Sequence, residues 1–267
     1  MKTGICASAH PAEGERLSTL RTTFKTLALL AAIVLLAPMQ LLVLAVTRGS
    51  ASMVLPALFH RLVCVVLGLQ VEVRGAPVAS KQAVFISNHL SHLDIPVIGS
   101  VLRACFVAKD DIREWPVFGG LARLQHTVFV SRNPRRVAEV ASALAAALAA
   151  GHRLVLFPEG TTSDGSTVLP FKSSVFAVLS DPALRHVVLQ PFTLELLAVD
   201  GRTIAGGGDR DRYAYHGGMT LLPHLLAFMR GSGARLRMTL HAPLPDAAGL
   251  TRKALAALAH ARVAQVH

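Results

Sequence analysis

The stretch AVFISNHLSHLDIPVIGSVL, Ala83–Leu102, decides how the chain is read. Its opening, Ala83–Ser87, is a short apolar run that reads as a buried strand. Its close, from Ile95 onward, is the apolar start of a helix. Between them, Asn88–Asp94 crowds two histidines, an asparagine, a serine and an aspartate into seven residues. A strand that runs into a polar turn and then a helix is the repeating unit of α/β folds. Functional groups in such folds collect beyond the carboxyl ends of the strands.

Further apolar runs follow at Ala104–Ala108, Thr127–Ser131, Arg153–Phe157, Val187–Leu194 and Arg235–His241, with helix-like segments between them. The clearest helix is NPRRVAEVASALAAALAAG. Asn133 can cap it, Pro134 suits its first turn, and Gly151 suits its stop. The alternation predicts an α/β domain over residues 73–267, with a mostly parallel sheet flanked by helices. The chain has no internal repeat. AGGGDRDR, Ala205–Arg212, reads as a flexible insertion. Pro158-Glu159-Gly160 follows one expected strand as Asn88-His89 follows another, so two polar clusters can face one cleft.

The N-terminal quarter differs. Leu27–Val46 carries no charge and is about as long as a hydrocarbon core is thick. Residues 1–25 precede it as a basic segment with Lys2, Arg16, Arg21 and Lys25. A second apolar stretch, Met53–Val71, is interrupted by His60 and Arg61. Three arrangements fit this pattern. One is a secretory signal cut near VTRGSASM. Another is a single span with its N-terminus inside. The third is a kink or hairpin at Pro38 that enters and leaves one leaflet, with the second stretch as return arm or interfacial helix. Residues 26–72 are therefore expected to be membrane-anchoring helices.

The chain carries 27 Lys and Arg against 16 Asp and Glu, a formal charge of +11, yet 52% of its 267 residues are hydrophobic. Basic and apolar together suit an anionic membrane surface. One Trp and two Tyr leave few stacking platforms for bases, and no nucleic-acid-binding motif is present. Cys6, Cys64 and Cys105 are too widely spaced for a disulfide framework or a zinc pattern. Cys64 and Cys105 sit in apolar runs and read as buried, inert thiols, in keeping with a reducing, cytoplasm-facing compartment.

Three chemistries compete for Asn88–Asp94. Ser91-x-x-Asp94 has capping-box spacing and explains itself without function. His89-x-x-His92-x-Asp94 suggests a metallo-hydrolase loop, although no other paired ligand motif accompanies it. The third reading pairs His89 with Asp94 for proton transfer. Five residues of continuous helix would leave the two about 140° apart. They can meet only if His89 lies in the loop and Asp94 in the first helical turn. Asp94 would then hold one imidazole nitrogen and leave the other free to take a proton from a hydroxyl.

NHLSHLD, HTVFVSR (His126–Arg132), FPEGTTSDG (Phe157–Gly165) and VVLQPF (Val187–Phe192) together resemble, in order and spacing, the four blocks of the glycerolipid and lysophosphatidic acid acyltransferase family. The resemblance covers roughly Val73–Leu197. It implies the glycerolipid acyltransferase fold, anchored by N-terminal membrane helices that need not cross the bilayer. It implies transfer of a fatty acyl group from acyl carrier protein or acyl-CoA to a lysolipid hydroxyl, with no metal or cofactor. By the same resemblance His89 is the base and Asp94 its orienter. Glu159 and Gly160, with Arg132 nearby, belong to the acceptor site, to which the residues themselves add Thr161, Thr162 and the cation Lys172 within reach of that loop, and the catalytic domain is expected to face the cytoplasm of a bacterial inner membrane.

On the residues alone, Glu159 with Lys172 can also be read as a surface ion pair in a polar turn, and Arg132 as a strand-end surface cation. The loop amides around Glu159–Thr162 can cradle an anionic headgroup. Two positions depart from the family pattern. Thr162 stands where the family commonly has an arginine that holds the acceptor phosphate; threonine brings neither charge nor a bidentate fork. His126 stands where a glycine is common. LARLQHTVFVSR and FPEGTTSDGSTVLPFKSSVF are more similar to the bacterial branch that acylates lyso-ornithine lipid, an acceptor without phosphate. The C-terminal TRKALAALAHARVAQVH reads as a basic amphipathic helix that packs on the domain.

Overall fold

The computed structural model describes residues 11–80, 82–131, 136–179, 184, 186–245 and 250–266. A long helix α1 (Pro11–Val46) leads through a 3-10 turn at Gly49–Met53 into α2 (Val54–Leu67). Then come β1 (Leu69–Arg74), β2 (Ala83–Ile86), α3 (Asp94–Val101), β3 (Cys105–Lys109), α4 (Phe118–Leu124), β4 (Val128–Val130) and α5 (Val137–Ala149). The remainder is β5 (Leu154–Leu156), α6 (Ser173–Leu179), β6 (Val188–Val199), β7 (Arg202–Thr203), α7 (Gly207–Arg210), α8 (Leu221–Arg230), β8 (Ala234–Leu240) and α9 (Arg252–Val263).

The sheet runs β1-β8-β6-β2-β5-β3-β4, with β7 attached to β6. Pairing is parallel at β1–β8, β6–β2, β2–β5, β5–β3 and β3–β4, and antiparallel where β6 meets β8 and β7. The expected mostly parallel, helix-flanked sheet is what the chain forms. All residues of β2 and β5 are buried, as their unbroken apolar runs require of central parallel strands. Side chains then sort by alternation. Phe85 and Val155 enter one apolar layer with Leu67, Val97 and Phe228 of the helices. Val84, Ile86, Leu154 and Leu156 enter the other, with Leu144, Phe176 and Leu255.

The register of β2 on β5 matters for the site. Ile86 pairs with Leu156, so both strands end level. Ser87 N–H still donates to Leu156 O at 3.1 Å, and the two following loops leave the sheet side by side.

β1 lies partly within the second apolar stretch, so the chain enters the sheet at Leu69 and the strand straddles the expected boundary at Val73. Its alternating Leu-Gln-Val-Glu-Val-Arg was concealed by the apolar residues before it. Pro38 does not reverse the chain either: α1 continues through it, and the reversal falls in the connection at Gly49–Met53. Gly49 has φ +62, and a Cβ there would sit 2.8 Å from Ala150 O, so a residue without one suits the tight approach. Buried Gln40 pins the hairpin, donating to Ser52 O at 3.0 Å and Leu124 O at 2.9 Å.

Glu15–Val46 and Gly49–Leu67 are both long and apolar enough to cross a membrane. The first keeps its apolar side chains outward: Phe24, Val34, Leu42 and Val46 are each about 70–80% exposed. Cys64 and Cys105 are free and buried, and Cys6 lies outside the described residues. Burial pushes the Cys105 thiol up to about 12. α9 packs on the domain through Leu255, Ala256, Ala259 and Val263.

Candidate active site

Asp94 opens α3 while His89 stays in the loop, the arrangement in which the two can touch. His89 Nδ1 lies 2.7 Å from Asp94 Oδ2. A carboxylate can only accept, so Nδ1 carries the proton and Nε2 is left as the acceptor. The Phe157 ring stacks on the imidazole, with centroids 3.9 Å apart and planes within 11°, which fixes its plane. The Asp94 side chain is wholly buried and that of His89 is 18% exposed.

Asp94 also accepts from the backbone N–H groups of Leu90 (2.7 Å) and Ser91 (3.0 Å) through Oδ2. The bond to Ser91 N–H is one that a capping box would make, but Leu93 is the N-cap of α3, so the bond braces the turn before the helix and is no cap. Within the same turn Ser91 Oγ accepts from Leu93 N–H at 3.3 Å. Asn88 latches the loop to β6, donating to Leu194 O and accepting from Leu194 N–H, both at 2.9 Å.

The second loop braces the first. Ser163 N–H donates to His89 O at 2.9 Å, and Glu159 Oε1 accepts from His89 N–H at 3.3 Å. Glu159 is only 2% exposed. Burial pushes its carboxyl up to about 8, with the Asp94 charge adding to the rise and the N–H groups of His89 and Leu169 opposing it. Glu159 therefore sits behind the histidine and makes no ion pair with Lys172. The Lys172 ammonium lies over Gly160 instead; a Cβ at Gly160, whose φ is +67, would meet Nζ at 2.7 Å.

An open cavity of about 1130 Å³ runs from α1 and α2 to His89, and Gly160, Thr161, Thr162 and Lys172 line it near the histidine. Of the loop amides around Glu159–Thr162 expected to cradle an anion, that of Gly160 is turned to Phe157 O at 3.0 Å. Arg132 lies outside the described residues.

His92 packs edge-on against Tyr215 and His224, with centroids 5.4 and 5.2 Å away. Burial, with His224 and His89 nearby, pushes it down to about 3. It is not joined to His89 and Asp94, and no metal-sized grouping of three or more His, Cys, Asp or Glu occurs among the described residues. The metallo-hydrolase arrangement is not formed.

Two features escaped the sequence. His126 adopts φ +57, the backbone conformation that glycine takes most readily, and bonds Ser52 Oγ at 3.0 Å. The insertion at Ala205–Arg212 is no loose loop. It forms α7, leads into Tyr213 and Tyr215, and lies over both loops. Tyr215 N–H donates to Leu90 O at 2.8 Å, Arg210 donates to Gly165 O, and the Tyr213 hydroxyl donates to Asp94 Oδ1 at 2.9 Å.

Residues 70–195 match the model of the family described as Acyltransferase. The chain is 35% identical over 252 residues to a lyso-ornithine lipid O-acyltransferase of Brucella abortus (strain 2308), covering 92% of this chain and 94% of that one. It is 39% identical to a 1-acyl-sn-glycerol-3-phosphate acyltransferase of Neisseria meningitidis serogroup B over 41% of this chain and 43% of that one. The crystal structure of a 1-acyl-sn-glycerophosphate acyltransferase from Thermotoga maritima shares the fold, with a TM-score of 0.69 at 19% identity over 95% of each chain. The chain belongs to this acyltransferase family. It is an acyltransferase with a glycerolipid acyltransferase fold.

Proposed function

We propose that the protein acylates a lysolipid at a membrane surface, drawing the acyl group from acyl carrier protein or acyl-CoA, and that lyso-ornithine lipid is its acceptor. The observation that carries this reading is His89, oriented by Asp94 at 2.7 Å, on the wall of an apolar cavity that reaches α1 and α2. Nε2 takes the proton of the acceptor hydroxyl as its oxygen attacks the thioester carbonyl. The tetrahedral adduct then expels the thiolate, which takes the proton back from the imidazolium, so histidine and carrier end as they are needed. The cavity beside α1 and α2 suits acyl chains, and the exposed apolar face of α1 suits the bilayer. A hairpin whose two arms join the same domain favours a catalytic domain on the cytoplasmic face of the inner membrane, where both thioester donors are found.

The acceptor choice rests on Thr162 and on likeness to the Brucella relative over nearly the whole chain. Thr161, Thr162 and Lys172 then serve the headgroup, and Glu159 holds the loop that carries the base. Arg132 remains part of the proposed acceptor site on the family resemblance alone.

The test offers lyso-ornithine lipid and lysophosphatidate side by side to the detergent-extracted enzyme, with each thioester donor. Product from lyso-ornithine lipid is expected, and His89→Ala should lower turnover by on the order of 10²–10⁴-fold. Product from lysophosphatidate alone would overturn the acceptor, and full turnover by His89→Ala would overturn the base.

A further inference from the structure

Asp94 is provided with more donors than orienting a histidine requires. Oδ2 receives His89 Nδ1–H and the N–H groups of Leu90 and Ser91. That leaves Oδ1, wholly buried, and its donor is the Tyr213 hydroxyl at 2.9 Å, reaching across 119 positions of the chain. A carboxylate has about four lone-pair sites, so this set saturates it. We infer that Tyr213 is a positioning residue of the acyl transfer, the third member of a His89–Asp94–Tyr213 chain, which holds Asp94 with Oδ2 aimed at Nδ1.

The surroundings are built for this placement. Tyr213 is 0% exposed. Its ring meets Phe228 of α8 edge-on, with centroids 6.1 Å apart. Its backbone is set by the turn that closes α7, Tyr213 N–H to Arg210 O at 2.9 Å, and the segment is tied down by Tyr215 N–H to Leu90 O. Burial and the Asp94 charge raise the Tyr213 phenol well above its ordinary value, so it serves as a donor and keeps its proton. The titratable neighbours are few. Glu159 takes His89 N–H, His92 is buried close by, and the Cys64 thiol lies near the phenol. A hydroxyl dipole on Oδ1 draws off part of the carboxylate charge that His89 would otherwise feel. Removing the hydroxyl strengthens that field and favours the imidazolium.

The inference rests on the base assignment above, and the experiment separates the two. In the detergent-extracted full chain, Tyr213→Phe should lower kcat about tenfold, leave KM for the lysolipid within about twofold, and move the acid limb of kcat/KM up by about half a pH unit. In an Asp94→Asn background the same change should add no further loss, because its effect passes through Asp94. Phe228→Leu serves as the packing control: it should lower thermal stability and leave the pH profile in place. A Tyr213→Phe enzyme with wild-type kcat and profile, beside an inactive His89→Ala, would overturn the role of Tyr213 and leave the base standing. So would a Tyr213→Phe loss that persists in full on Asp94→Asn, or a Phe228→Leu enzyme with the same pH shift. A fully active His89→Ala would remove the base and this inference together.

Discussion

The two loops that leave β2 and β5 side by side are made of similar residues and are used in opposite ways. In the first, polar groups turn inward: Asn88 is latched to β6 and Asp94 is saturated with donors, while His89 meets the cavity. The second is divided. Glu159 and Ser163 turn inward onto the His89 backbone, while Thr161, Thr162 and Lys172 line the cavity. The difference teaches that the first loop is braced on the protein at nearly every polar group while the second keeps its tip turned to the cavity, as the proposed proton transfer and the proposed headgroup site would each require. Misplacing a base is costly, because proton transfer depends steeply on geometry. A partly solvated cation contributes little by comparison.

The comparison breaks most visibly at Asp94. Asp94→Asn should lower kcat by about 10³–10⁴-fold while the protein stays folded, because the amide no longer fixes the tautomer of His89. Steady-state turnover with a thermal melt checks this, and near-normal turnover would mean that the first loop is merely structural.

Glu159 tests the inward half of the second loop. Its carboxyl is raised from 4.5 to about 8 in the folded protein. Between those values the folded state binds more protons than the unfolded state, so stability is highest at the acid end and falls as pH rises through the window. Glu159→Gln keeps an acceptor for His89 N–H and has no charge to bury. It should flatten that fall and be the more stable protein at pH 8, on the order of a few kcal/mol. Melts of both proteins at pH 5 and pH 8 decide the matter; parallel curves would show that Glu159 does not titrate in this range.

The outward half should show the smallest effect. Lys172→Ala is expected to raise KM for the lysolipid about two- to fivefold, with kcat nearly unchanged and the change shrinking at high salt. A large fall in kcat would place Lys172 at the chemistry and erase the contrast between the loops.

Much of the site was legible because it is local. His89 and Asp94 are five positions apart, and a loop followed by one helical turn is the conformation in which they meet. The runs at Ala83–Ser87 and Arg153–Phe157 announced the buried strands, and their polar ends announced the loops. By contrast, the apolar character of Met53–Val71 concealed β1, since a run of hydrophobic residues looks the same entering a helix or a strand. The glycines of Ala205–Arg212 suggested a loose insertion, yet Arg210 ties the segment to Gly165 O and the residues that follow it are tied to Leu90 and Asp94, all far away in sequence.

The sequence by itself determined the α/β class and the apolar N-terminal helices, because each is written in spacing or in a continuous run, and it offered His89 with Asp94 as one of three readings of their loop. Tertiary structure alone decided where the helical hairpin turns, that Glu159 is buried behind the histidine, that His126 takes a left-handed backbone, and that Tyr213 completes the environment of Asp94. These depend on which distant surfaces meet once two apolar layers close around the sheet. No local pattern encodes a hydrogen bond between residues 119 positions apart.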